Sequence, residues 1–336
     1  FMAWTTTPWT LFSNTGLAVG KNITYVGVET INPHTHKDVF LICAEKCIPT
    51  LFDKKIVKKI STVRKDLVDG YNIAERYSGS DLVGLRYQQL LQYVQPHDTS
   101  KEAFRIVDAD FVNTSDGTGL VHLAPTFGAD DFNVAQKKGL PLMLVEDSNK
   151  NLVPLVNLNG QFIDGLGEFS KRFVKAEFND SEKQSVDIDI IVKLKQEELI
   201  FKSEKYEHNY PHCWRTDKPI LYYPLDSWFV RSTEYRDLMI KKNNEINWKP
   251  KSTGEGRFKN WLENINDWNL SRSRFWGIPL PIWKNADGSE IICVGSVEEL
   301  RRLCAESVDS GNMQNNPLEK FEPNNMGESN YKIFDL

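Results

Sequence analysis

The 336 residues, 40% hydrophobic and 26% charged, have an ordinary folded composition and are too long for one comfortable core, so two or three units are expected. A net charge of -5 excludes a global basic footprint, so a nucleic-acid partner would need a local basic patch or contacts from elsewhere in a longer protein. No run of about 18 apolar residues is present, which excludes a membrane-spanning helix, and five scattered cysteines fit a reducing, cytosolic compartment better than a disulfide scaffold.

The chain starts at Phe1-Met2-Ala3-Trp4 without a basic region or a long apolar stretch, so no signal peptide is expected, and the missing methionine at position 1 is expected of a segment of a longer protein. Trp4 to Trp9 is rich in threonine and aromatics and predicts a strand. Leu17 to Val19, Thr24 to Val28, Asp38 to Cys43, Tyr71 to Tyr77, Leu82 to Tyr87 and Phe104 to Phe111 read as further strands. Lys54 to Leu67 is basic and mildly amphipathic, a short helix. Many short strands at close spacing predict a barrel-like β domain. Asp130 and Asp131 open a helix over Phe132 to Lys138, stopped by Gly139, with Asp130 as the expected cap. A second helix is expected from Ser181 to Glu198, capped by Asp180, with Val186, Ile190, Ile191 and Leu194 on one face. Seven of the nine tryptophans then fall between Trp214 and Trp283, a change of composition that puts a domain boundary near Lys205. A helix over Val297 to Glu306 precedes a polar, Asn-rich stretch.

Four stretches can carry chemistry. Thr5, Thr6 and Thr7 offer hydroxyls for a ribose, an ester or a water, and methyls for a steric wall; the same residues also suit a plain surface strand. Gly117 to Asp131 joins a Gly-Thr-Gly turn, which lets backbone approach a ligand closely, to one histidine and two aspartates. His122 can line a pocket or move a proton, and Asp130 or Asp131 can bind an ammonium group; the plain reading is a strand, a turn and a capped helix. His208, His212 and Cys213 lie close together, but Thr216 stands where a C-x-x-C would need its second cysteine, so no metal is expected. Arg272 and Arg274 lie among aromatics and can meet phosphate or a base, or be ordinary surface arginines. No Walker A, H-E-x-x-H, G-x-S-x-G or dinucleotide fingerprint occurs.

Together these stretches resemble the isoleucyl-tRNA synthetases, a class I family. Trp4-Thr-Thr-Thr-Pro-Trp-Thr-Leu11, followed by Ser13-Asn14 and Leu17-Ala18-Val19, is similar to the threonine-rich strand of that family's editing domain. Gly117-Thr-Gly-Leu-Val-His-Leu-Ala-Pro125 with Phe127-Gly128 and Asp130-Asp131 is similar to its second editing motif. Tyr210-Pro-His-Cys-Trp-Arg215, Ser227-Trp-Phe229 and the stretch from Asn269 to Trp283 resemble the return to the catalytic core. The resemblance covers roughly residues 1–300; the tail matches weakly. The valyl and leucyl relatives typically carry Thr-Thr-Arg-Pro where this chain has Thr-Thr-Thr-Pro. Both adenylate-forming signatures of the family, the His-x-Gly-His and Lys-Met-Ser-Lys-Ser types, are absent.

The resemblance implies a mixed α and β fold: a β-barrel-like editing domain over 1–205, a smaller α/β segment of the class I core over 206–300, and a polar, partly flexible tail over 301–336. It implies hydrolysis of mischarged valyl-tRNA(Ile), with Thr5, Thr6, Thr7, His122 and Asp131 at the reacting end. Trp4, Gly117, Thr118, Gly119, Ala124 and Asp131 would bind the substrate, Asp131 through its α-ammonium. The implied partners are the acceptor end of tRNA(Ile) and its valine or isoleucine, met by a cytoplasmic monomer with no membrane attachment. Editing needs no cofactor; ATP and magnesium would serve the whole ligase. The alternatives are a non-catalytic tRNA-binding fragment and the editing domain of a valyl or leucyl relative.

Overall fold

The computed structural model describes residues 1–179, 184–207, 209–272 and 279–322. Two compact units divide the chain, Phe1–Leu225 and Asp226–Leu336. The first unit therefore runs past Lys205, and Tyr206 and Tyr223 pack edge-on against Trp4 and tilted against Phe127 within it.

The first unit is mixed α and β. Strands β1 (Gly16–Val19), β2 (Thr24–Ile31), β3 (Asp38–Ala44) and β4 (Asn72–Ser78) are interleaved with helices α1 (Ile48–Leu51) and α2 (Lys54–Val63). Helix α3 (Gly79–Leu82), strands β5 (Arg105–Asp108) and β6 (Leu120–Leu123), helix α4 (Ala129–Lys138), strands β7 (Leu144–Glu146) and β8 (Leu152–Pro154) and helix α5 (Val186–Gln196) follow. Strand β2 is central to an antiparallel sheet, order β3-β2-β4. Strand β1 is central to a second sheet, parallel to β5 and antiparallel to β6. No closed barrel is formed among the described residues.

Register explains the two faces of the second sheet. Leu17 lies opposite His122 and Val19 opposite Leu120, so these four side chains share one face. Leu17, Val19 and Leu120 join the core built on β2 and β3, with Tyr25, Val26 and Ile60. Ala18 and Leu123 point the other way, onto Ala135 and Leu140 of the α4 region. A third core gathers Trp9, Phe12, Phe162 and Phe169 with Val186, Ile190 and Leu194 of α5.

Several expected elements differ. The threonine strand is not a strand: Trp4 makes one bridge to Val121, and Pro8–Ser13 is a 3-10 helix. Pro8 has no N–H to give a ladder and suits a first helical turn, while the Thr5 hydroxyl captures the Thr7 N–H at 3.1 Å. Leu82 to Tyr87 forms no strand beyond a single bridge at Arg86, because α3 and the left-handed Gly84 interrupt it. Helix α4 starts at Ala129 with Gly128 at its cap, so Asp130 is not the cap. Its end is as expected, with Gly139 left-handed. Helix α5 is capped by Ser185, whose hydroxyl accepts the Asp187 N–H; Asp180 and Ser181 lie outside the described residues.

The second unit carries α6 (Arg236–Glu245), α7 (Lys259–Glu263), α8 (Val297–Asp309) and two small two-stranded ladders. Arg301 of α8 donates to the carbonyls of Leu318 and Phe321, which fastens part of the polar stretch after it.

Candidate active site

A cavity of about 770 Å³ opens in the first unit. The Phe1–Thr6 segment, β6, the Gly117–Thr118 turn, α5 and the 198–206 segment contribute to its walls. Its lining combines an apolar majority with many polar and charged side chains, Asp116, Asp187, Glu198, Lys202 and Glu204 among them, so it can hold a ligand that has both apolar and polar parts. Trp4, Thr5, Thr6, Gly117, Thr118 and His122 all line it, so residues more than a hundred positions apart in sequence meet there. A second depression of about 780 Å³ surrounds Arg64, whose guanidinium is committed to Asp38 and Asp66; it gathers none of the candidate residues.

His122 is held from both ends of its sequence neighbourhood. Pairing of β6 with β1 points its ring to the Leu17 face. Its Nε2 then lies 3.2 Å from the Thr10 hydroxyl. That hydroxyl donates its one proton to the Thr7 carbonyl at 2.8 Å, so it accepts from His122 and the ring carries its proton on Nε2. The Thr7 hydroxyl, 3.3 Å from the Thr10 hydroxyl, completes the chain. Nδ1 is left a buried lone pair with no partner among the described residues. Burial pushes the imidazole down to about 4, so the ring is neutral at pH 7. A lone pair shut from solvent on so weak a base is poorly suited to activating water. It is well suited to being a fixed wall.

Thr5 accepts the Thr7 N–H and keeps its own hydroxyl proton to donate, and both Thr5 and Thr6 border the cavity. Thr7 does not line it and acts through Thr10. Gly117 and Gly119 are both left-handed, at φ 73° and 75°. A Cβ on Gly117 would come 2.9 Å from the Trp4 ring, and one on Gly119 would collide with Ala44. The close approach these glycines permit is thus to the protein's own aromatic wall and to β3.

Asp131, Ala124 and Gly119 are not among the lining residues. Asp131 reaches back so that one carboxylate oxygen accepts the Ala124 N–H at 2.9 Å, pinning the turn between β6 and α4. Burial raises its carboxyl above the usual range, only partly offset by that bond, and Asp130 nearby adds to the rise. Its other oxygen makes no hydrogen bond to a described residue.

Sequence reasoning missed Asp187. It lines the cavity from α5, and its carboxylate accepts the Trp9 N–H at 2.9 Å, supplying a partner to an otherwise orphaned donor of the 3-10 helix. Burial raises its carboxyl as well, against the pull of Lys175, whose Nζ is 3.9 Å away. One signal was available: Asp187 follows Val186 and precedes Ile190 on a helix whose buried stripe is Val186, Ile190 and Leu194, so a flanking carboxylate had to lie near the core. Of the residues weighed and set aside as metal ligands, His208 lies outside the described residues, and His212 Nδ1 is 2.8 Å from the Tyr210 carbonyl. No group of three or more His, Cys, Asp or Glu side chains suited to a metal occurs among the described residues. Arg272 donates to the carbonyls of Asn269 and Ser271; Arg274 lies outside the described residues.

Residues 145–336 match the family model of class I tRNA synthetases (I, L, M and V). The chain belongs to this family. Among its relatives, the isoleucine–tRNA ligase of Cytophaga hutchinsonii is 50% identical over 326 residues, 93% of this chain and 29% of the relative. That of Porphyromonas gingivalis is 45% identical over 360 aligned positions, 100% of this chain and 31% of the relative. That of Clostridium tetani is 41% identical over 300 residues, 89% and 25%. This class I synthetase chain thus spans about a third or less of the relatives it matches. A solved structure, the crystal structure of GlLeuRS-CP1, overlaps 60% of the chain and 84% of its own at 15% identity, with a TM-score of 0.33, a level that does not establish a shared fold.

Proposed function

We propose that this chain is the editing part of an isoleucine–tRNA ligase, hydrolysing the ester of valyl-tRNA(Ile), within the barrel-like editing fold of the isoleucyl, valyl and leucyl enzymes. The observation that carries the reading is the cavity where Thr5, Thr6 and His122 meet, with His122 locked by Thr10. Isoleucine–tRNA ligases are themselves the standard illustration of why such a site exists. One missing methylene is worth only about 1–3 kcal/mol, so an isoleucine pocket rejects valine by a factor on the order of 150.

The cavity supplies the second, smaller sieve. His122 and the Thr5 and Thr6 methyls set a volume that admits the valyl group and stops the isoleucyl group. The terminal adenosine lies along Trp4 and the Gly117–Thr118 turn. The α-ammonium is assigned to the second oxygen of Asp131 as a charge-assisted pair while the first stays on Ala124; because Asp131 does not line the cavity, the ammonium must reach past the cavity wall toward the turn between β6 and α4. That ammonium offsets the cost of holding the buried carboxylate ionised. The nucleophile is a water, held by threonine hydroxyls against an ester that is already activated, so positioning supplies most of the acceleration. Ester hydrolysis needs neither ATP nor magnesium; both belong to adenylate formation, whose two signatures this chain does not carry.

Mixing the protein with valyl-tRNA(Ile) and following deacylation tests the reading. Loss of ester above the spontaneous rate, with isoleucyl-tRNA(Ile) spared, is expected. Binding without turnover would instead make the chain a non-catalytic tRNA-binding module.

A further inference from the structure

Helix α2 carries Lys54, Lys55, Lys58 and Lys59 on its exposed face, opposite the buried Ile56 and Ile60. None of these four makes an ion pair with a described residue. Four carboxylates around the helix are taken by other cations: Asp53 by Lys202 at 2.9 Å, Asp38 and Asp66 by Arg64, and Glu198 by Lys37. Lysines four apart on a helix face repel one another, so this stripe destabilises the helix and is left uncompensated in a chain whose net charge is -5. The positive field extends beyond α2. After burial, the charges of Lys195 on α5 and Lys59 hold the His34 imidazole below its usual value, which brings the β2–β3 turn and α5 into the same region.

The helix is also tied to the cavity. Lys202 lines the cavity, donates to the carbonyl of Thr50, another lining residue, at 3.0 Å, and pairs with Asp53, the N-cap of α2. We propose that the lysine face of α2 is a phosphate track for the RNA strand whose 3′ end enters the cavity, and it rests on the editing reading above. The partner it fits is the sugar-phosphate backbone of the acceptor end, held by charge without base readout. Residues four apart on α2 are spaced about 6 Å, so the stripe can follow successive phosphates along one strand.

The test is binding of uncharged tRNA(Ile) to the whole chain by fluorescence anisotropy between about 50 and 200 mM salt. Replacing Lys54, Lys55, Lys58 and Lys59 together by Gln should weaken binding at least tenfold at the lower salt and flatten the salt slope by about 3, at roughly 0.7–0.9 per phosphate. Replacing the same four by Arg should restore both. Affinity and slope unchanged in the Gln variant, or lost equally in the Arg variant, would overturn the proposal. A phosphate-free ester, valyl adenosine, separates the two readings. Wild type and the Gln variant should hydrolyse it equally; if wild type does not hydrolyse it, the editing reading falls, while the salt slope still decides the lysine face.

Discussion

His122 should make the stability of the first unit depend on acid in a window that can be computed. Burial holds its imidazole at about 4 in the folded chain, against about 6.5 in the unfolded one. The folded-state value is depressed, so the unfolded chain binds the proton first. The stability is fully present above about pH 6.5, falls as pH drops toward 4, and loses nothing further below that. A gap of about 2.5 units at 1.36 kcal/mol each is about 3 kcal/mol, a large share of the 5–15 kcal/mol typical of a folded domain. Urea unfolding of wild type and His122→Gln at a series of pH values isolates it, because the other five histidines are common to both. Burial raises the carboxyls of Asp131 and Asp187, which stabilise the fold as pH falls through their folded values; both remain in the variant and cancel in the difference. The difference curve should therefore lose about 3 kcal/mol between pH 6.5 and 4. Parallel curves would mean that the ring is not held neutral by burial, and the case for a fixed, uncharged wall would go with it.

Four further outcomes follow from the same geometry. Thr10→Val keeps the shape and the backbone N–H bond to the Thr7 carbonyl but strands the His122 Nε2–H, and should cost about 1–3 kcal/mol by urea unfolding; a variant as stable as wild type would show that Thr10 does not hold the ring. Asp131→Ala should abolish hydrolysis of valyl-tRNA(Ile) while Asp187→Ala acts through the Trp9 turn and chiefly lowers stability; if the two results are exchanged, Asp187 is the ammonium ligand. His122→Ala should enlarge the pocket and expose isoleucyl-tRNA(Ile) to hydrolysis, measured as the ratio of the two deacylation rates; an unchanged ratio removes His122 as the wall. Thr216→Cys should leave the protein without stoichiometric zinc by metal analysis, since a four-ligand site needs a second pair of ligands.

Local signals made much of this protein legible. The apolar and β-branched runs of β2 and β3, the turn at Asn32 to Lys37, the start of the basic helix α2 and the Gly139 stop of α4 all rest on the preferences of a few adjacent residues and lie where those preferences put them, although α2 ends at Val63, short of the expected Leu67. The motif residues were readable for the same reason: small glycines, one histidine and paired aspartates stand out within one short stretch. What adjacent residues do not carry is competition between alternatives of nearly equal energy. Thr5 to Thr7 has strand propensity, yet the fixed φ of Pro8 and the hydroxyl of Thr5 favour a turn and a 3-10 helix. Local preference pointed to Asp130 as the cap. Gly128 takes that position, and Asp131 turns back to the Ala124 N–H. The meeting of Thr10 with His122, 112 positions later, is decided only when β1 pairs with β6 and fixes which face the ring takes. Asp187 on the cavity wall follows from where α5 docks, and the open lysine face of α2 follows from Lys202, Arg64 and Lys37 taking the neighbouring carboxylates. Residue types thus declared the chemistry available to the chain, while strand register and ion pairing, which are long-range choices, decided which of those groups share a cavity.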